Sequence, residues 1–387
     1  MCIRDSYLTN HVPRAMNARW DVSYAALLPR DPAQPVGLVV QALELLFVAG
    51  LDLPVDLVEG FLAPRPDEAP LEMSEPPAVT FAGFPVRAGL EDLPIVQHKL
   101  AISRSHGARA APTAAHALGR LIRAAGLERG RLLADDARAP AWLAEAGLTS
   151  VDCRYEPAAL KEVRLVKTPA EAERLRAAAI VNEAACRAAA AVARVGMTQH
   201  ELEMQFVCEC ARRGSWAAYL VSDLGRLPHD EVVSGEPLML DALSSRDGYY
   251  GDFGRTLVVD DVSAELRRRA SGLDAAWQAA RIAIRPGADY DTVRHAAVAA
   301  ARDAGFPEFG LPVAHSVGLQ HTDDPAPPRL HTGFNPNRTL EPGMVLNLDM
   351  PFIEWGWGAL HREDTVLVTA AGCELLTSGD ETLIVVA

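Results

Sequence analysis

Short apolar runs alternate with longer amphipathic stretches over residues 7–155 of the chain. Residues 35–40 and Leu45–Val48 are apolar runs typical of buried strands. Residues 113–127 carry apolar side chains at helical spacing, and the apolar pair 132–133 follows them after a glycine. Strands that alternate with helices in this way predict a small α/β domain at residues 7–158.

Two segments of this first region lack such a pattern. Residues 64–77 are rich in proline and acidic side chains, which predicts a surface loop. Residues 1–6 have neither the basic start nor the apolar core of a signal peptide, and they resemble a translated adapter sequence. Residues 7–9, Tyr-Leu-Thr, already look like the middle of a domain. We therefore expect 1–6 to be a non-native leader and the first domain to be truncated at its start.

A helix start marks the second half of the chain. Thr168 is a good N-cap, proline takes the first helical position, and Glu171 stands three residues after the cap. The Ala-rich stretch 171–195 predicts a long helix, and Thr198 opens a second one with the same capping pattern. These signals place a domain boundary near residues 155–168.

The pattern changes from residue 238 onward to strands and hairpins. Two helical segments, 264–284 and 291–304, interrupt them. We assign residues 159–387 to a second, larger domain.

Acidic residues outnumber basic ones by 51 to 37, which gives a net charge of −14. Such a chain lacks the positive field that holds phosphate backbones or anionic membrane surfaces, so we expect no nucleic-acid and no membrane partner. No apolar stretch is long enough to span a bilayer. The six cysteines form no CxxC pair, and we interpret them as reduced thiols of a cytoplasmic protein.

The first candidate chemistry lies in a predicted hairpin. The strand Leu-Met-Leu ends in Asp241, residues 244–248 are expected to turn, and a returning strand carries Asp252. In such a hairpin the two carboxylates can lie on one face, where they repel unless they share a proton or a cation. The alternative is that both aspartates are ordinary turn residues that cap the hairpin.

Further polar residues stand in apolar surroundings downstream. His315 and His321 lie in a predicted strand and turn, where a single histidine is usually a satisfied core residue. Alternation places Asn347 and Asp349 on one face of a strand, and Glu363 lies near the start of the next. Buried acids need partners, and divalent cations supply them. Four carboxylates and one imidazole would make an oxygen-rich site for two metals.

This ordered set resembles the creatinase, prolidase and aminopeptidase P family, the pita-bread metallopeptidases of family M24. Asp241, Asp252 and the Phe-Gly-Arg-Thr after the second aspartate are similar to the family's Asp…Asp-x-x-Arg-Thr hairpin. His315 in His-Ser-Val-Gly-Leu resembles its ligand histidine, and Glu363 in Glu-Asp-Thr-Val-Leu its last ligand. The resemblance implies an α+β chain: a pita-bread catalytic domain preceded by a smaller, creatinase-type α/β domain.

The resemblance also implies roles. Asp252 and Glu363 would bridge two divalent transition-metal ions, Asp241 would complete one site, and His315 with Asp349 the other. Manganese is the expected metal, with cobalt, iron or zinc as alternatives. The bridged water would be acidified to a hydroxide nucleophile. His321 and His229 would lie on the substrate side, and the family's Glu at position 349 often shuttles protons. A homodimer is implied in the same way.

This sequence departs from the family pattern in four places. The fourth ligand is Asp349, where the family usually has glutamate. His315 and His321 are one residue closer together than usual, and Thr-Asp-Asp-Pro follows the second histidine. Before Glu363 the peptidases commonly show Arg-x-Glu, whereas this chain has His361-Arg362-Glu363. These changes bear on specificity more than on metal binding.

Three functions follow from the resemblance. The first is a dinuclear exopeptidase of the aminopeptidase P or prolidase type that cleaves short Xaa-Pro peptides. The second keeps the fold and the metals but acts on another small substrate, as an ectoine-type amide hydrolase or a dimethylsulfoniopropionate lyase. The third is a catalytically silent binding module, for which the change to Asp349 is the support. The ligand set is too complete for a metal-free creatinase.

Overall fold

A computed structural model of the chain describes residues 24–48, 53–62, 87–102, 110–221, 230–310, 313–325 and 337–387. The chain divides into two compact units, Met1–Leu160 and Lys161–Ala387. Four predictions lie outside the described residues: the leader at 1–6, the Tyr-Leu-Thr at 7–9, the loop at 64–77 and His229.

The first unit contains three strands in one sheet, in the order β1-β2-β3. These are β1 (Ala25–Leu27), β2 (Gly37–Gln41) and β3 (Leu57–Phe61). Strand β2 pairs antiparallel with β1 and parallel with β3. The strand predicted at 35–40 is therefore present; it begins two residues later and ends one residue later than predicted.

The strand predicted at Leu45–Val48 is wrong. A 3-10 turn at Ala42–Glu44 leads into a short helix, α1 (Leu45–Val48). A four-residue apolar run does not distinguish a strand from a buried helical turn by periodicity, and the flanking Ala, Leu and Glu favour helix. Leu45 and Val48 are buried as a strand would have buried them.

The other elements among the described residues of the first unit follow the predicted alternation. They are α2 (Pro94–Ile102), α3 (Ala114–Ala124), β4 (Gly130–Ala134), α4 (Ala139–Glu145) and β5 (Val151–Tyr155). Thr113 caps α3 by accepting a hydrogen bond from the backbone N–H of His116. The apolar face of α3 buries Leu118, Leu121 and Ile122 in the core of this unit. A parallel β4–β5 pair completes the α/β arrangement.

A short helix, α5 (Ala159–Leu165), leads into the long helices of the second unit, α6 (Pro169–Ala190) and α7 (Gln199–Arg212). Both predicted capping boxes are present: Thr168 with Glu171, and Thr198 with Glu201. Helix α6 ends earlier than residue 195, and residues 194–197 turn toward the next cap.

The second unit is built on an eight-stranded sheet. Its strands are β6 (Trp216–Val221), β7 (Leu238–Arg246), β8 (Tyr249–Val259), β9 (Val313–Ser316), β10 (Val345–Glu354), β11 (Gly358–Thr369), β12 (Gly372–Leu375) and β13 (Leu383–Val386). The order along the main path is β6-β7-β8-β11-β10-β9. Strand β12 pairs with β11, and β13 runs parallel to β8.

Two more helices belong to this unit: α8 (Ala264–Ala283), capped by Ser263, and α9 (Tyr290–Asp303), capped by Asp289. Alternate strand residues bury their side chains among these helices. Phe253 and Leu257 of β8 pack with α6 and α7, whereas Leu346 and Leu348 of β10 pack with α8 and α9. Because side chains alternate along a strand, the intervening residues point to the opposite face of the sheet.

No helix among the described residues is both long and apolar enough to cross a membrane. The five cysteines in the described part of the chain carry free thiols.

Candidate metal centre

The predicted aspartate hairpin exists, with a tighter turn than expected. Strands β7 and β8 pair from Leu238 opposite Leu257 to Arg246 opposite Tyr249, so the turn is only Asp247-Gly248. Both turn residues have positive φ, 52° and 83°, which is the two-residue hairpin turn that Asp-Gly favours. The predicted turn at 244–248 was too long because Ser244 and Ser245 continue the ladder.

This register places the two aspartates on one face. Asp252 lies opposite Leu243, and Asp241 lies opposite Gly254, so the carboxylates are diagonal neighbours. Asp252 is fully buried and Asp241 half-buried.

The second pair of acids comes from another hairpin. Asp349 of β10 lies directly opposite Glu363 of β11, and the turn between the strands falls at residues 355–357. Glu363 in turn pairs with Gly254 of β8. The two hairpins therefore meet at the place where all four carboxylates lie.

Strand β9 brings in the first histidine. His315 pairs with Asn347 of β10, two residues from Asp349, and the residue is 3% exposed. His321 lies beyond the strand in a turn, and its ring is 4.9 Å from that of His315 in an edge-on arrangement. His321 Nε2 is 3.2 Å from Asp252 Oδ2, and His315 Nε2 is 3.6 Å from the same oxygen.

These residues form three overlapping triads whose ligand atoms lie within 4.8 Å of one another. They are Asp241–Asp252–Glu363, His315–Asp349–Glu363 and Asp252–His315–His321. The structure thus brings together all the described residues that the sequence singled out for the site, Asp241, Asp252, His315, His321, Asp349 and Glu363. His229 lies outside the described residues.

The donor atoms fit a divalent cation. Among the described residues, Oδ1 of Asp252, Nε2 of His315 and Oε2 of Glu363 are buried without a hydrogen-bond partner. A buried polar atom without a partner costs free energy, and a metal ligand must keep its lone pair free for the ion. Carboxylate and imidazole donors suit Mn²⁺, Fe²⁺, Co²⁺ and Zn²⁺ alike.

The protonation of the acids reflects their crowding. Burial, followed by the charge of Asp252, raises the pKa of Glu363 well above its usual value. Burial also raises the pKa of Asp241 to about 6, with Asp252 and Asp349 adding to the effect. Burial alone would lower the pKa of His321, but the carboxylate of Asp252 outweighs it and raises that pKa. Without a cation, Glu363 and Asp241 therefore keep their protons to higher pH than ordinary carboxylates do.

Two buried aspartates, Asp323 and Asp324, hold the turn that carries His321. Asp324 Oδ2 accepts a hydrogen bond from the backbone N–H of Ser316 at 2.7 Å, and its Oδ1 accepts one from Tyr290 at 2.8 Å. Asp323 pairs with Arg164 at 2.5 Å, and both side chains are almost completely buried. In the sequence alone, the Thr-Asp-Asp-Pro segment is visible only as a departure from the family pattern. Its role in holding the turn was not predictable, because the partners Arg164 and Tyr290 are distant from the two aspartates in the sequence.

A second buried ion pair supports Glu363 from the helix side of the sheet. Arg255 donates to Asp364 at 2.8 Å and to the backbone carbonyl of Glu363 at 2.9 Å. Both side chains of the pair are fully buried, and Thr377 donates a further hydrogen bond to Asp364. This arrangement fixes the backbone from which the Glu363 side chain points into the site.

Sequence reasoning missed Tyr219 and the partner of His361. Tyr219 of β6 lies opposite Leu243 of β7, which itself lies opposite Asp252, so Tyr219 is on the same face of the sheet as the acids. Its ring is 6.4 Å from that of His321. Burial, with the negative charges of Asp241 and Asp252, raises the pKa of its hydroxyl above the usual range. His361 Nε2 lies 2.8 Å from Asp349 Oδ1. Both relationships depend on pairing between strands, which a single strand's pattern does not contain.

A cluster of acids and histidines on one sheet face, with helices packed on the other, defines a candidate metalloenzyme. The profile of Metallopeptidase family M24 matches residues 173–370, just over half of the chain. The chain belongs to metallopeptidase family M24. The matched segment contains every described candidate ligand.

Curated relatives are similar over part of their length. Methionine aminopeptidase B of Synechocystis sp. is 29% identical in an alignment of 169 positions that covers 39% of this chain and 61% of that protein. An uncharacterised hydrolase/peptidase of Sinorhizobium fredii is 26% identical over 61% of this chain and 62% of its own. The chain thus spans about three fifths of the length of these relatives.

Solved structures are similar over almost the whole chain. An Xaa-Pro dipeptidase from Bacillus anthracis superposes with a TM-score of 0.68 at 17% identity, over 99% of this chain and 98% of that one. The prolidase from Pyrococcus horikoshii OT3 gives the same score and identity over 99% and 94%. This likeness confirms the predicted fold class, a pita-bread domain preceded by a smaller α/β domain.

Proposed function

We propose that the protein is a dinuclear metal-dependent peptidase that cleaves short peptides of the Xaa-Pro type. The observation that carries this proposal is the overlap of the three triads: Asp252, His315 and Glu363 each belong to two of them, so neighbouring ligand sets share residues as those of a two-ion centre would. Family membership and the likeness to structures named prolidase and Xaa-Pro dipeptidase support a peptide substrate.

The ligands of the proposed centre would be Asp241, Asp252, His315, Asp349 and Glu363. Two divalent cations held there would acidify a water molecule and polarise the scissile carbonyl. Manganese is the metal we propose first, because carboxylates predominate in the ligand set.

The protein's own groups would orient the substrate. His321 is more exposed than the ligands, with 39% of its side chain accessible, and carries a raised pKa beside Asp252. It can therefore donate a hydrogen bond to a substrate oxygen. Tyr219 keeps its hydroxyl proton because its pKa is raised, so it is a second donor on the same side. His229 is proposed as a further substrate-side histidine by resemblance alone.

A metal and substrate screen tests the proposal. Protein stripped with chelator would be reloaded separately with manganese, cobalt, iron or zinc and assayed with Xaa-Pro dipeptides, Xaa-Pro-Xaa peptides and a proline-free dipeptide. We expect metal-dependent cleavage with preference for proline. A metal-loaded protein that turns over an ectoine-type amide or dimethylsulfoniopropionate and no peptide would replace this function with the non-peptidase alternative. A protein that binds neither metal nor peptide would overturn both.

We also propose a cytoplasmic homodimer. The resemblance to the family supports the dimer, and reduced cysteines support the compartment. Light scattering coupled to size-exclusion chromatography would measure the mass of the particle directly. A single-chain mass of 41.6 kDa at working concentration would contradict the dimer.

A further inference from the structure

The carboxylate of Asp349 is held by an imidazole. His361 Nε2 lies 2.8 Å from Asp349 Oδ1, which is hydrogen-bonding distance for a charged pair. The same nitrogen is 3.8 Å from Glu363 Oε2, which is too far for a hydrogen bond. His361 therefore hydrogen-bonds one oxygen of Asp349 and does not engage the second oxygen of that carboxylate, and Asp349 is a member of the His315–Asp349–Glu363 triad.

The imidazole is itself fixed on its other side. His361 Nδ1 lies 3.1 Å from the backbone carbonyl oxygen of Leu240, which can only accept a hydrogen bond, so Nδ1 must be the donor. The residue is 1% exposed. Because Nδ1 is hydrogen-bonded to the backbone of β7, the orientation of the imidazole ring is fixed, and Nε2 points toward Asp349.

Glycine at position 254 makes room for this ring. A Cβ atom there would lie 2.4 Å from both Nδ1 and Cε1 of His361, and 2.7 Å from the Cβ of Glu363. These distances are shorter than real Cβ contacts, and a shift of the ring away from position 254 would disturb the hydrogen bond between Nδ1 and the Leu240 carbonyl. Gly254, His361 and Asp349 thus fit together by shape as well as by hydrogen bonding.

We propose that His361 is a positioning residue that aims Asp349 at a divalent cation, and that the short acid at 349 is matched to the imidazole at 361. This inference rests on the proposed metal centre and goes beyond it by assigning a chain-specific supporting residue. It explains why an aspartate can serve at this position: the hydrogen bond from His361 holds its carboxylate where the adjacent ligands need it. A glutamate there would extend its carboxylate by one methylene and lose this fit.

The test is titration of the metal-free protein with Mn²⁺ by calorimetry, which does not depend on peptide cleavage. His361→Gln should weaken one of the two binding steps about 10- to 100-fold, the usual effect of losing a group that orients a ligand. The other step, assigned to Asp241, Asp252 and Glu363, should change much less. His200→Gln, which changes an exposed histidine of α7, is the matched control and should leave both steps unaltered.

A second variant keeps the inference testable if His361→Gln does not fold, as judged by circular dichroism. Asp349→Glu is expected to weaken manganese binding in the native background, and Asp349→Glu with His361→Ala should restore part of the loss. Equal manganese affinity in wild type and His361→Gln, or tighter binding by Asp349→Glu alone, would overturn the inference. Wild type that binds two ions but cleaves no peptide would overturn the proposed activity and leave this inference standing.

Discussion

Ser316 donates its backbone N–H to the side chain of Asp324 at 2.7 Å, which closes the turn that carries His321. The donor follows His315 directly, so this hydrogen bond ties the two histidines of the site to one rigid segment. Tyr290 of α9 anchors the same carboxylate from the helix side of the turn. The position of His321 is therefore set by a residue that does not touch the metal centre.

Asp324→Ala should loosen this turn. The change leaves the Ser316 N–H and the Tyr290 hydroxyl buried without an acceptor, at a cost of about 1–3 kcal/mol each. We expect a lower melting temperature and a fall in kcat, measured on the same preparation. Tyr290→Phe removes one of the two donors and should cost about 1 kcal/mol. Equal activity of Asp324→Ala and wild type would show that His321 is held by other contacts.

Asp252→Asn should abolish binding of both metal ions. Asp252 contributes to two triads, and an amide oxygen is a neutral, weaker ligand than a carboxylate. Metal analysis after incubation with manganese would measure the ions bound per chain. Asp303→Asn, at an exposed position of α9, is the control and should bind as wild type does. Retention of a full complement of metal by Asp252→Asn would refute the proposed centre.

Asp364→Ala should strongly destabilise the second unit. Arg255 would remain fully buried without its anionic partner, and breaking a buried pair in this way costs about 3–5 kcal/mol. Asp380→Ala breaks the pair between Arg187 and a 58% exposed carboxylate and should cost less than about 1 kcal/mol. Urea denaturation of both variants measures the contrast. Similar midpoints would mean that Arg255 finds other acceptors.

The metal-free protein should lose stability as pH rises through the pKa of Asp241. That pKa is raised to about 6, so between the unfolded value and about 6 the folded chain binds more protons than the unfolded chain. The stabilisation from this proton is complete at pH values below the pKa of Asp241 in the unfolded chain. It disappears as pH rises through the pKa of Asp241 in the folded chain. Metal loading should cancel this trend because cations replace the protons.

The matched variant for this prediction is Asp241→Asn, which cannot titrate. The melting temperature of metal-free wild type minus that of the variant should decrease from about pH 4 to about pH 7. A difference that grows with pH would mean that the cluster lowers the pKa of Asp241 instead of raising it.

Local sequence patterns predicted which acids lie together at the candidate site. Alternation along one strand predicted that Asn347 and Asp349 share a face, and the spacing within one hairpin predicted that Asp241 and Asp252 do. Both predictions were possible because each pair lies within a single local segment of the chain. The partner of His361 was not predictable, since it depends on the pairing of β10 with β11 in one register. Tyr219 was missed for a related reason: the ladder between β6 and β7 shifts register between Ala217 and Tyr219.

The first unit shows the other limit of sequence patterns. Helix α3 was predictable because its eleven residues span three turns, and its cap at Thr113 is a local signal. The run Leu45–Val48 was too short to carry a period, and its helical state is set by the chain around it.

The contact between the two hairpins affects the order in which the candidate site forms during folding. Strands β7 and β8, like β10 and β11, are neighbours in the chain and can pair early, whereas Arg255 reaches the carbonyl of Glu363 across 108 residues. Closing so long a loop is slow, so we expect the seam between the hairpins to form late in folding. A cation bound across that seam would be captured after the rate-limiting step. Its main kinetic effect would then be to slow unfolding rather than to speed folding.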